Sequence, residues 1–140
     1  MNESPDVFVS FEDDSSNYVS EHAVEEGEYE VRITSAMVNT IKGFIIVRVE
    51  IIDDPYAKEL SCFLNLPGSG RDEKDENRNR GRRLDFFSCF DIDSSVSMNP
   101  AAQEPEGWVG REGYVMISAP KDKDDGYGPQ NSIKRFSPRR

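Results

Sequence analysis

Between residues 72 and 90 the spacing of apolar residues changes from alternation to a helical repeat, and alternating segments flank that stretch on both sides. The first opens at Gly27, where Tyr29, Val31, Ile33, Ser35 and Met37 alternate with Glu30, Arg32, Thr34 and Ala36, the period of a half-buried strand. A turn near 39–43 leads into a β-branched run over 44–52, which Asp53-Asp54-Pro55 ends because proline cannot donate to a ladder. A third strand is expected near 58–66, with Leu60, Cys62, Leu64 and Leu66 on one face and Pro67-Gly68-Ser69-Gly70 as its stop.

Helical spacing then takes over. Asp72, Glu73, Asp75 and Glu76 crowd the first turns, where the helix dipole favours acids. Leu84, Phe87, Cys89 and Phe90 form the expected apolar stripe. Residues 91–106 read as a loop, with Asn99-Pro100 and Pro105 as breakers. Two closing strands follow, near 107–117 and 127–136, joined by a charged loop rich in Gly and Pro. Five short strands with a helix between the third and fourth predict an OB-fold, an all-β domain with one helix whose strands form a partly open Greek-key barrel. A small sandwich would need more strands than residues 31–140 offer.

At 140 residues the chain holds one domain and a tail. Its low apolar and high charged content leaves material for only a small core. No apolar run approaches the roughly 18 residues of a membrane span, and the acidic N-terminus lacks a signal-peptide pattern, so a cytoplasmic location is expected. A net charge of −10 should repel phosphate. The distribution alters that conclusion, because residues 1–30 carry ten acids and no Lys or Arg. The remaining 17 acids of 27 face 17 bases, and the body is neutral. The expected division is an acidic, largely disordered leader over 1–24, a folded domain over 25–137 and a basic tail over 138–140. Val7, Phe8, Val9 and Phe11 form an apolar patch inside the leader, suited to adding a strand or docking on a partner.

Strand alternation selects candidate site residues. If Val31 and Ile33 face the core, Arg32 faces out. An inward Val47/Val49 face exposes Phe44, Ile46 and Arg48, and an inward Leu60/Cys62/Leu64 face exposes Phe63. Phe44 and Phe63 then lie on the outer side of adjacent strands beside Arg32 and Arg48, the face on which OB-folds bind oligonucleotides. Rings stack on bases of any sequence. The competing reading has the helix or the Phe8/Phe11 segment covering both rings.

Arg78, Arg80, Arg82 and Arg83 are either a phosphate grip or a solvated helix face paired with Glu73, Asp75 and Glu76. Tyr127, Lys134, Arg135 and Phe136 put base and ring together in the closing hairpin, with a core position as the alternative for Phe136. Trp108 is expected in the core or as a barrel cap. No nucleophile has a credible base, since the one histidine, His22, lies in the leader. The Asp pairs fall in turns that favour Asp for backbone reasons. No enzyme activity, metal or cofactor is expected, and Cys62 and Cys89 read as reduced structural thiols.

Three segments carry a resemblance: Gly27-Glu28-Tyr29-Glu30-Val31-Arg32-Ile33, Trp108-Val109-Gly110-Arg111-Glu112-Gly113 and Asn131-Ser132-Ile133-Lys134-Arg135-Phe136. In this order and spacing, over about residues 11–136, the chain resembles phage-encoded OB-fold single-stranded-DNA-binding proteins. The resemblance implies a replication or recombination accessory that coats single strands in the host cytoplasm without sequence preference. It departs from the bacterial type, whose acidic tail is C-terminal and recruits replication enzymes. Here the acids lead, and they either compete with DNA for a basic groove or recruit replication or recombination proteins. The rival reading is an acidic interaction protein that mimics nucleic acid and occupies a partner's DNA-binding site.

Overall fold

A computed structural model describes residues 10–95, 98–99, 104–122 and 124–139. Val7, Phe8 and Val9 of the leader's apolar patch lie outside the described residues. In chain order the elements are α1 (Asp14–Asn17), β1 (Gly27–Asn39), β2 (Phe44–Ile51), β3 (Leu60–Asn65), α2 (Glu73–Phe90), β4 (Met98–Asn99), β5 (Glu104–Pro105), β6 (Glu112–Ile117), β7 (Lys121–Asp122), β8 (Pro129–Gln130) and β9 (Ile133–Phe136).

The main sheet is antiparallel, in the order β3-β2-β1-β6-β9. β9 returns beside β3, which nearly closes the sheet into a five-stranded barrel with α2 between the third and fourth barrel strands. This is the OB-like architecture that the order of periods predicts. β7 and β8 pair to extend the closing hairpin. The stretch 91–106, read as a loop, holds a two-residue hairpin in which Met98 pairs with Pro105 and Asn99 with Glu104.

Alternation places Val31, Ile33, Val47, Val49, Ile51, Leu60, Cys62 and Leu64 inside the barrel. In β1 the alternation breaks. The register with β2 slips between Ile33 and Ser35, so Thr34 is an extra residue, and everything after it changes face. Ala36 and Val38 enter the core, while Ser35 and Met37, expected inside, turn outward.

The helix starts where its sequence stops resembling a strand. Asp72 is the N-cap, its carboxylate accepting from the Asp75 N–H at 2.8 Å. Asp91 ends it in the left-handed conformation, φ 54°. α2 packs against β3, β6 and β9, and its buried residues are Phe86, Cys89 and Phe90 rather than a stripe through Leu84, which is exposed. The ring of Phe86 lies 5.0 Å from those of Phe90 and Trp108 and 5.3 Å from Phe136. This cluster fills the barrel end beneath the helix, where ring pairs add about 0.5–1.5 kcal/mol each beyond their burial. The helix can come this close to β6 only at Gly113, where a Cβ would stand 2.6 Å from the Cys89 carbonyl oxygen.

Two arginines from outside the helix hold its C-terminal end. Arg111 donates to the Asp91 carbonyl at 2.9 Å, and Arg139 to those of Cys89 at 3.2 Å and Glu112 at 3.0 Å, a favourable place for cations. The last residues of the acidic leader are tied to the body too. His22 bridges Ala57 and bonds Asp54 at 2.7 Å, and the Asn131 side chain both donates to and accepts from the Val24 backbone. Ahead of them, α1 is a single exposed turn.

Candidate nucleic-acid interface

The outer face of β1, β2 and β3 follows from the register. Met37 lies opposite Ile46, and Ile46 opposite Phe63, giving one apolar row across three strands. Phe44, one pair further along, meets Phe63 edge-to-face with ring centroids 5.0 Å apart. Arg48 lies one pair the other way, between Ser35 and Ser61. Met37 and Phe63 are 54% and 53% exposed. α2 touches the end of this face, its Asn79 side chain accepting from the Asn65 side chain at 3.2 Å, yet Phe63 stays half exposed while Phe44 is partly buried. Phe11 is exposed, and Phe8 lies outside the described residues.

Two loops bound this face. At the end of β3, the Leu66 N–H donates to the Gly43 carbonyl at 2.8 Å, which fixes the turn between β1 and β2 there. Ahead of β3's start, the Lys58 ammonium donates to the Tyr127 carbonyl and, at 3.0 Å, to that of Pro129. That holds the loop between β6 and β9 at the other end. Six strand residues separate the two, a track of roughly 20 Å.

The candidate cations divide into free and engaged. Arg48, Arg78, Arg80, Lys134 and Arg135 are exposed, although Arg80 also donates to the Asn77 side chain at 3.3 Å. Arg32 sits between Glu50 at 3.1 Å and Glu112 at 3.4 Å, which raise its pKa, Glu50 foremost. Its charge is already answered. Arg83 donates to the Asn65 carbonyl at 2.6 Å and pairs with Glu76 at 3.3 Å. The Arg82 guanidinium covers the Phe136 ring at 4.8 Å. Phe136 is 2% exposed and belongs to the core, closed to any base. The Tyr127 ring is exposed while its carbonyl is held.

Strand alternation therefore brings Phe44, Phe63 and Arg48 together on one face, while Arg32, Arg82, Arg83 and Phe136 are occupied elsewhere. Met37 was missed because the bulge that turns it outward has no sequence marker. Ile46, read as outward, is partly exposed on that face, and Ile41 in the turn near 39–43 was not singled out.

A groove of about 1170 Å³ opens on the other side, lined by the acids Glu28, Glu30, Asp85 and Glu112 and by Arg111, Arg135 and Arg139, of which Arg111 and Arg139 are held by carbonyls at the helix end. Its acids make it a poor place for phosphate. Glu30 beside Tyr114 raises that phenol's pKa. Burial pushes the Cys62 thiol up to about 12 and the Cys89 thiol up to about 11. Among the described residues no group of three or more His, Cys, Asp or Glu could hold a metal ion, and no helix is long and apolar enough to cross a membrane.

Residues 11–139 match the model of a family described as "Protein of unknown function (DUF669)". No curated protein and no solved structure matches the chain.

Proposed function

The chain belongs to the DUF669 family, and we propose that it binds single-stranded DNA without sequence preference, as a phage-type OB-fold accessory of replication or recombination. The observation that carries this reading is the Phe44–Phe63 pair, outward on β2 and β3 between two anchored loops. Each ring offered to a base contributes about 1–3 kcal/mol whatever the sequence. Arg48 supplies a phosphate contact beside the rings, and Lys134 adds positive charge on β9. A track of roughly 20 Å suits a few splayed nucleotides, at the low end of the roughly 4–16 that an OB-fold covers. The acidic leader then serves either to recruit replication or recombination proteins or to compete for the groove.

The nucleic-acid-mimic reading draws on Glu28, Glu30, Glu50 and Glu112, which sit on folded strands rather than in the leader. Arg32 neutralises part of that acidity at its centre. The apolar row has no role in this reading.

Fluorescence polarisation of a labelled oligothymidylate, against a matched duplex at two salt concentrations, tests the choice. Salt-sensitive binding to the single strand and weak binding to the duplex support the proposal. No binding even at low salt overturns it and favours the mimic, for which a chain lacking residues 1–20 should still hold its partner.

A further inference from the structure

A lone exposed isoleucine on a protein surface carries no message. Ile41 is different in its place and its company. It is 96% exposed in the turn joining β1 and β2, the strands that carry the half-exposed Met37 and the Phe44 ring. It lies two residues beyond Asn39, which pairs with Phe44, so its Cα is within about 7 Å of the last cross-strand pair.

The turn that carries it is braced. The Gly43 N–H donates to the Asn39 carbonyl at 2.9 Å, and the Lys42 N–H to the Asn39 side chain at 2.9 Å. Gly43 takes φ 77°, open to glycine at little cost, and its carbonyl accepts from the Leu66 N–H just past β3. A β-branched side chain is restricted at χ1, so the braced turn presents an apolar point of limited freedom. The fold gains almost nothing from it, since hardly any of its surface is removed from water. Lys42 follows, exposed and positively charged.

We propose that Ile41 is an apolar wedge that enters between two successive bases of the bound strand, at the end of the track set by Phe44 and Phe63. In duplexes, apolar side chains inserted between base steps unstack them and kink the DNA; on a single strand the same insertion separates two neighbouring bases. The inference rests on the single-strand reading and names a residue that strand alternation does not select. The wedge interrupts base stacking at one step, while the two rings offer it replacement stacking beside that step. Lys42 would hold the phosphate of that step.

The test is an oligothymidylate series with one 2-aminopurine moved along the strand, whose emission rises when its base is unstacked. Wild type should raise emission at one position. Ile41→Ser should abolish that rise and weaken binding about tenfold, the value of burying one such side chain. Ile41→Leu should restore both. The side chain is almost wholly exposed, so the thermal midpoint of Ile41→Ser should match wild type. Equal emission profiles and equal affinity for wild type and Ile41→Ser overturn the wedge. If Phe63→Ala still weakens binding in that case, the single-strand reading survives without it. If wild type binds no oligonucleotide, both fall.

Discussion

The ring of Phe44 meets the ring of Phe63 edge-on, at 5.0 Å between centroids and 82° between planes, on the side of β2 and β3 that faces away from the core. Two rings that touch in the free protein need little ordering when a ligand arrives. Phe63→Ala should lower single-strand affinity by about 1–3 kcal/mol and leave the urea midpoint nearly unchanged, because the ring is half exposed. Phe44→Ala should lower affinity and cost some stability. Since the rings touch, the two losses should not add, and a double-mutant cycle read by polarisation measures the difference. Additive losses would mean that the rings meet separate bases.

Arg48 and Arg83 illustrate how the same residue type divides between binding and structure. Arg48 is exposed beside the apolar row, whereas Arg83 is tied to the Asn65 carbonyl and to Glu76. Arg48→Ala should reduce affinity evenly across sequences and lower the slope of log affinity against log salt by about one. Arg83→Ala should lower the urea midpoint and leave that slope unchanged. A salt slope that responds to Arg83 and not to Arg48 would move the DNA path onto α2.

The thiols offer a clean probe of the core. Desolvation lifts Cys62 to about 12 and Cys89 to about 11, so near pH 8 about one thiol in a thousand or fewer is the reactive thiolate. An aromatic disulfide reagent should therefore leave the native protein untouched and titrate two thiols at once after denaturation. Rapid native reaction of either one would show that the barrel opens locally on that side.

These contrasts also show what the sequence could carry. Leu60, Cys62 and Leu64 alternate without interruption, and β3 was legible to within two residues at each end. Asp72 followed by three acids marked the helix start because capping chemistry is local. The bulge at Thr34 was not legible, since nothing about that residue differs from its neighbours until a partner strand is paired with it. Phe86 was passed over because its turn of the helix is otherwise Arg82 and Arg83, polar residues that bury their stems beside it. Arg32 looked like a free cation for a related reason. Its partners Glu50 and Glu112 lie 18 and 80 residues away along the chain.

The loop before α2 holds the last prediction. Glu76 reaches back so that its carboxylate accepts from the Gly68 N–H at 3.1 Å and the Gly70 N–H at 2.8 Å, with Arg83 at 3.3 Å. Those two amides foremost, and then Arg83, hold its carboxyl below the ordinary value of 4.5. Gly70 has no substitute here, since a Cβ would stand 2.7 Å from the Glu76 nitrogen. A carboxyl that ionises more readily folded than unfolded stabilises fully above its unfolded value, and the effect is lost as pH falls through the lowered one. Glu76→Gln should thus unfold at lower urea than wild type near pH 7, and the gap should narrow as the solution is acidified toward about pH 3. A gap that stays constant over that range would mean that the loop needs only the hydrogen bonds of Glu76 and not its charge. Because this loop leads from the end of β3 into α2, a shift in it should also disturb the Phe63 end of the track, and Glu76→Gln should weaken oligonucleotide binding in step with the stability it loses.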